Sequence, residues 1–539
     1  MIKQFLKDKF SLKGYRPFLY FVIIGLTLYG QTLFFDFTYL DDNTLILDNQ
    51  SFLSSPSNLL QSFREDVFHI ANHSASYYRP ILTISFMSDY QMGGTNLFVY
   101  HLSNILFHLL SVCLLFVFLC KLKYKKSISF LVALIFLIHP VFTQAVAWIP
   151  GRNDSLITVF ILASFIYFIN FLERKDKKNF ILHLLFFALA IFTKETALFA
   201  LPLFVFYTYF LSQKKNKPSK IKVLFAWLIV LIVWFVLREL TLNSSFSGGI
   251  IEMIKSIIFN LPAMVQLIGK IIFPFNLSVL PIIQDTTFIY GFITLIILGV
   301  LFFLKKDKRW NYIIFGLLWF FLLLLPSFIR IGENLFPDFI EHRLYLPAVG
   351  FFLILLEVNP FKNWRKNDVF YSVILGVVIL CSSLTFFHSL NFRNKNAFWE
   401  NAVENSQHYP LAHRNLGAMY FLDGDFDNAA IEFRQTLEIN PNEEMAHNNL
   451  GLIYFNREKF DKAEEEYNKE IEINPFYDNV YYNLGLLYYK QGRIEETISA
   501  WERAFEINYK NLDVIKGLAI LYHEKGDYEK SDFYAEKIK

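Results

Sequence analysis

The chain has 539 residues, of which 54% are hydrophobic and 18% charged, with a mean hydropathy of +0.35 and 62 phenylalanines. A soluble domain carries about 25% charged residues, so a soluble enzyme, a disordered chain and a fibrous protein are excluded. The net charge of +3 hides a split: residues 1–392 hold 34 basic against 21 acidic residues, and residues 393–539 hold 17 against 27. The sequence therefore predicts an all-α protein in two parts, a polytopic membrane bundle (1–392) and an acidic helical array (393–539).

Apolar segments of near-spanning length are predicted at 17–35, 99–120, 128–148, 155–172, 179–193, 197–211, 223–241, 287–304, 311–328, 343–357 and 369–389, eleven in all. The first follows a basic leader and has too long an apolar run for a signal peptide, so it reads as an uncleaved anchor. Basic residues gather in the leader, Lys121–Lys126, Arg174–Lys178, Lys214–Lys222, Lys305–Arg309 and Lys362–Lys366, which hold 25 of the 34. The positive-inside rule puts these loops in the cytoplasm and the alternate ones outside, including the long first loop 36–98. Residues 250–285 are apolar, but a crossing there would put Lys305–Arg309 outside. With Pro262, Pro274 and Pro281 breaking it, the segment reads as an outer-face or re-entrant element. Cys113, Cys120 and Cys381 all lie in apolar runs, which argues against a disulfide framework.

From Pro410 a 34-residue period sets in. Leu416, Leu450, Leu484 and Leu518 share one position, Gly417, Gly451, Gly485 and Ala519 the next, and Tyr420, Tyr454, Tyr488 and Tyr522 another. This is tetratricopeptide spacing, with units near 410–443, 444–477, 478–511 and 512–539, and with Trp399 and Ala402 in the register of a preceding helix. Such arrays bind partners on a concave face. The recurring Asn415, Asn449 and Asn483 fit a groove for an extended acceptor backbone, or are simply tolerated at that register.

Chemistry is sought among ionisable groups at the outer membrane face, where a bare charge is costly. The first loop opens on Asp41-Asp42, with Asn49 following, and later carries Tyr78-Arg79-Pro80. Paired, desolvated carboxylates raise each other's pKa, so one of them can act as a base or metal ligand. His101, Asn104 and His108 recur at helical spacing on one face, which interior packing between helices would also explain. His139-Pro140 leads to Gly151-Arg152-Asn153-Asp154; Lys194-Glu195 forms an outer turn; and Glu341-His342-Arg343 precedes Tyr345 and Pro347. Carboxylates, cations and aromatics at one face suit transfer from a lipid-linked phosphate, whose departure needs cations.

In this order the motifs resemble those of the transmembrane and tetratricopeptide-repeat containing O-mannosyltransferases and their bacterial relatives, over nearly the full length. The resemblance implies a type C glycosyltransferase fold, a polyprenyl-phosphate sugar as donor, and an essential acidic pair at Asp41 and Asp42. It also implies repeats on the same side as the site, presenting acceptor proteins. Gln144 stands where relatives have Glu, and His342 where animal members have Arg. No Asp-x-Asp triplet accompanies the acidic pair, which favours a metal-independent reaction.

The resulting reading is a bacterial inner-membrane enzyme moving a hexose such as mannose onto Ser/Thr hydroxyls at the periplasmic face by inverting displacement. Asp41 or Asp42 serves as base, and Arg79, Arg152, Lys194 and Arg343 bind the phosphate. Asn49, His101, Asn104, His108, His139, Asp154, Glu195, Glu341 and Tyr345 are supporting polar groups. Its partners are membrane lipid, the lipid-linked sugar and an acceptor protein, with no nucleic acid. The alternatives are a non-catalytic repeat scaffold and a lipid-linked glycan ligase or polymerase.

Overall fold

The computed structural model describes residues 12–70, 77–212, 220–242, 249–329, 339–358 and 368–538. The leader before residue 12, most of Lys214–Lys222 and all of Lys362–Lys366 lie outside the described residues. The chain divides into two compact units, Met1–Asn401 and Ala402–Lys539, and the helix Lys395–Asn405 runs through the division.

The first unit is a bundle of helices with a large aromatic core. Phe118, Phe165, Phe204 and Trp319 meet at its centre with their ring planes tilted by 30–41°. The helices Trp310–Leu324 and Ala348–Val358 touch backbone to backbone, because a Cβ on Gly350 would lie 2.5 Å from the Gly316 carbonyl oxygen. Close approach of this kind is how helices associate where lipid removes the hydrophobic drive.

Among the described residues seven helices are long and apolar enough to cross a membrane, or eight if the bent pair Lys126–Ile138 and Pro140–Ala147 counts as one span. The count of eleven is therefore not reproduced by length: Glu195–Leu211, Ile289–Leu304 and Ala348–Val358 are shorter. The shortening has a cause at two of the expected spans. His139-Pro140 bends one helix by 56°, and Pro347 stands just before another. At these points polar segments sink into the bundle, which is tolerated where the irregular backbone is covered by protein.

One end of the bundle is fixed by the basic loops. Lys121 Nζ reaches Glu173 at 3.4 Å, the Tyr124 hydroxyl donates to Glu357 at 2.6 Å, and Arg309 pairs with the same carboxylate. The Tyr312 hydroxyl donates to the Leu122 carbonyl, and Asn311 to that of Phe210. The opposite end, where Phe328 and the turn Glu341–Leu344 lie, carries the polar motifs.

Residues 250–285 begin as a 23-residue helix, Ile250–Ile272, which by length and composition could cross. Asn260 Nδ2 and Ser256 Oγ donate to the Phe328 carbonyl, while Lys270 reaches Glu341 and the Ile271 carbonyl meets His139. The C-terminal end of this helix therefore meets the polar motifs. Its neighbour Ile289–Leu304 packs against it through Gly291 and Gly269, where a Cβ on the latter would sit 2.4 Å from the Gly291 nitrogen.

The second unit has four helix pairs, from Pro410–Leu422 and Phe426–Ile439 to Leu512–Glu524 and Tyr528–Glu536. The glycine column is explained by what lies over it. A Cβ at Gly417, Gly451 or Gly485 would meet the ring of Phe433, Tyr467 or Trp501 at 2.7, 2.5 or 2.3 Å. Each first helix lies flat beneath an aromatic ring of its own second helix. Gly485→Ala is accordingly expected to destabilise the third repeat by about 1–3 kcal/mol, read as faster amide hydrogen exchange across Asp478–Ile507 than in the wild-type chain.

Candidate active site

The first loop is anchored before it reaches the acidic pair. The Asp36 amide donates to the Arg393 carbonyl at 2.8 Å, and Trp399 Nε1 donates to that of Thr38 at 3.0 Å. Just past the second anchor the backbone turns sharply, with Tyr39 at φ +59°.

Asp42 is 1% exposed. Its Oδ2 accepts from the Thr38 amide at 2.6 Å, the Thr38 hydroxyl at 2.6 Å and the Tyr39 amide at 3.2 Å. Its Oδ1, equally buried, has no hydrogen-bond partner. One oxygen is thus fixed by three donors and the other is bare. Burial pushes the carboxyl up to about 6, against the opposing pull of the Thr38 and Tyr39 donors. Asp41 is half-buried, and its carbonyl accepts from the Leu45 amide, opening a π-helical turn. Asn49 is buried, and its backbone carbonyl caps the short helix Gln50–Leu53.

A second cluster joins four distant segments. Arg79 grips Glu195 in bidentate fashion at 2.7 and 3.2 Å and lies over the Tyr77 ring. Lys194 Nζ meets both oxygens of Asp154 at 2.9 and 2.8 Å, with Asn153 Oδ1 at 3.5 Å. His342 Nε2 approaches the same Asp154 at 3.5 Å. The loop before helix Pro80–Gly93, the start of helix Arg152–Arg174, the 194–195 turn and the turn Glu341–Leu344 therefore share one set of charges. Arg343, half-buried, belongs to the last of these. The His108 ring bonds the Tyr345 hydroxyl at 2.5 Å and the Leu137 carbonyl at 3.0 Å, which ties this turn to helix Leu97–Lys121. Glu341 is held by Lys270 at 2.6 Å, and His139 by Ile271 and by the Val141 amide.

Arg152, expected at the phosphate, is enclosed completely. Its nitrogens donate to Asp89, to Asn104 Oδ1 at 2.8 Å and to the Tyr100 carbonyl at 2.9 Å, and its plane covers the Phe86 ring. It is a brace, not a group facing a ligand. Asn104 extends this brace by donating towards the Val146, Trp148 and Ile149 carbonyls. His101 is buried edge-on to Phe35. In the repeats, Asn483 donates to Asn448 Oδ1 at 2.8 Å and Asn448 to Asn449, a chain that couples neighbouring repeats. Asn415 and Asn449 are half-buried.

Three residues in these contacts were not singled out from the sequence: Asp89, Lys270 and Asn448. Asp89 carried a signal as a lone charge in an apolar segment, and Lys270 as one of few charges in another; Asn448 carried none. No described hydrogen bond joins Asp42 to the cationic cluster. Among the described residues no three His, Cys, Asp or Glu side chains gather as metal ligands.

Residues 84–238 match the family model described as dolichyl-phosphate-mannose-protein mannosyltransferase. Residues 395–444, 451–492 and 478–511 match tetratricopeptide-repeat models. The human protein O-mannosyl-transferase TMTC3 is 25% identical over 78% of this chain and 51% of its own length. The Caenorhabditis elegans protein O-mannosyl-transferase F38B6.6 is 25% identical over 81% and 64%. The chain is similar to these protein O-mannosyl-transferases along most of its own length. It spans about half to two thirds of the length of these curated relatives. A crystal structure of MamA matches 27% of this chain and 84% of its own, at 20% identity and a TM-score of 0.25. The mannosyltransferase model covers Asp89, Arg152, Asp154, Lys194 and Glu195, and begins just after Arg79.

Proposed function

We propose that this integral membrane protein is a glycosyltransferase that moves a sugar from a polyprenyl-phosphate donor to a hydroxyl of an acceptor protein, on the face bearing Asp42. The bare, buried Oδ1 of Asp42 is the observation that carries the reading. It takes the proton of a Ser/Thr hydroxyl while that oxygen bonds to the anomeric carbon and the bond from this carbon to the phosphate oxygen breaks. One displacement inverts the anomeric centre, and the polyprenyl phosphate leaves with the bonding electrons. Arg79, Lys194 and Arg343 are the cations for the departing phosphate, with Glu195 and Asp154 holding the first two until a ligand competes. The fully committed Arg152 holds the scaffold.

An apolar groove of about 590 Å³ supports an isoprenoid donor. Leu201, Val205, Phe206, Leu224, Trp227 and Leu228 are among the residues lining it, and it begins a few residues after Lys194-Glu195. The repeats present the acceptor, and the basic loops, cytoplasmic by the positive-inside rule, support a site on the periplasmic side of a bacterial inner membrane.

The test is transfer of labelled hexose from polyprenyl-phosphate mannose to Ser/Thr peptides by the purified full chain, read by mass spectrometry. Absence of any product with mannosyl, glucosyl and galactosyl donors alike would reject the reading. Because a base must be ionised, the initial rate is expected to rise about tenfold per pH unit up to about pH 6 and then level off. A rate independent of pH between 4.5 and 7.5 would remove Asp42 from that role.

A further inference from the structure

Lys270 has no place in the reaction above, yet it is 3% exposed and pairs with Glu341, itself 1% exposed, at 2.6 Å. A buried ion pair is weak evidence for stability, since an apolar pair of similar volume does as well or better. Its presence therefore calls for another explanation, and the turn Glu341–Leu344 offers one.

Successive residues of this segment are held by different parts of the bundle. Glu341 Oε1 accepts from Lys270 and from the Ser278 amide at 3.2 Å. His342 faces Asp154 and the Trp148 ring, and Tyr345 bonds His108. Arg343 sits between these anchors. The second oxygen of Glu341 makes no hydrogen bond, and His388 Nε2 stands 3.8 Å from it. Glu341 is thus set chiefly by a lysine of the helix Ile250–Ile272. That helix exposes Ile251, Ile254, Ile258 and Leu261 on its other side, at the spacing of one helical face.

We propose that Lys270 is a positioning residue for transfer: acting through Glu341, it orients the 341–345 turn so that His342 and Arg343 face Asp154 and the phosphate. This rests on the transferase reading for its kinetic consequence but not for its structural one. Without the pair the turn keeps Tyr345 at one end but at the other is held at position 341 only by the Ser278 amide, and a shift of about 1 Å at a phosphate clamp costs as much as a hundredfold in rate.

The experiment compares the wild type with Lys270→Met, Glu341→Gln and the double variant, all as full-length protein in detergent. Either single change leaves a buried group mismatched and lowers the melting temperature. The double change removes both charges and restores it. At wild-type stability the double variant is expected to keep at least a tenfold loss in kcat, with amide exchange in 341–346 at least tenfold faster than in the wild type. A double variant with wild-type kcat and wild-type exchange would make the pair purely structural and overturn the proposal. If the wild type transfers no sugar, the transferase reading fails on its own, and the exchange of 341–346 still decides whether Lys270 fixes the turn.

Discussion

Asp42→Asn protein is expected to transfer sugar about 10² to 10⁴ times more slowly than wild type, the range lost with a general base, while folding normally. The amide keeps an acceptor for the Thr38 and Tyr39 donors, so the turn survives. At the bare position it presents an N–H where the carboxylate would receive a proton. Asp41→Asn, at a half-buried site, is expected to cost much less. Thr38→Val removes one donor to the carboxylate, and hydrogen bonds to charged groups contribute about 1.5–3 kcal/mol. The pH limb should therefore move up by about one unit, since losing a donor disfavours the ionised form. Initial rates of the three variants from pH 5 to 8 check all of this. Wild-type transfer by Asp42→Asn would eliminate the base, and an unmoved limb in Thr38→Val would detach it from Asp42.

What could be read in advance follows from which forces are local. The repeat register was legible because each unit solves the same problem alike, a glycine beneath Phe433, Tyr467 or Trp501. The membrane helices were legible from hydropathy, but their lengths were not. His139-Pro140 and Leu346-Pro347 carry polar chain into the bundle, and only the tertiary cover over those segments makes that tolerable. Helix Ile250–Ile272 has the composition of a span, and nothing in that composition foretells that Asn260, Lys270 and Ile271 bond Phe328, Glu341 and His139. Trp399 and Thr38 lie 361 residues apart, so no periodicity connects the clamp on the acidic loop with the residues it clamps. Asp42 stood out as half of an acidic pair. That one of its oxygens is bare depends on Thr38 and Tyr39 folding back over the other.

Arg152 shows the same limit from the other side. A lone arginine at the end of an apolar segment reads alike whether it awaits a phosphate or pairs with a buried carboxylate, and its partner Asp89 lies 63 residues earlier. Arg152→Met is expected to destabilise the membrane unit by about 3–5 kcal/mol, the cost of stranding one member of a buried pair. The Asp89 carboxylate would keep only the Ser103 hydroxyl at 2.6 Å, and Asn104 Oδ1 and the Tyr100 carbonyl would each lose a donor. Arg152→Lys keeps the charge but cannot reach three acceptors at once, so an intermediate loss is expected. Arg152→Met combined with Asp89→Leu removes both charges and should recover most of the stability. Denaturant titration of the full chain in detergent, with donor KM measured on each folded variant, separates the two roles. A brace predicts lost stability and a KM that returns in the double variant. A phosphate ligand predicts a well-folded Arg152→Met protein whose donor KM stays high whatever stands at position 89, and that result would return Arg152 to the reaction centre.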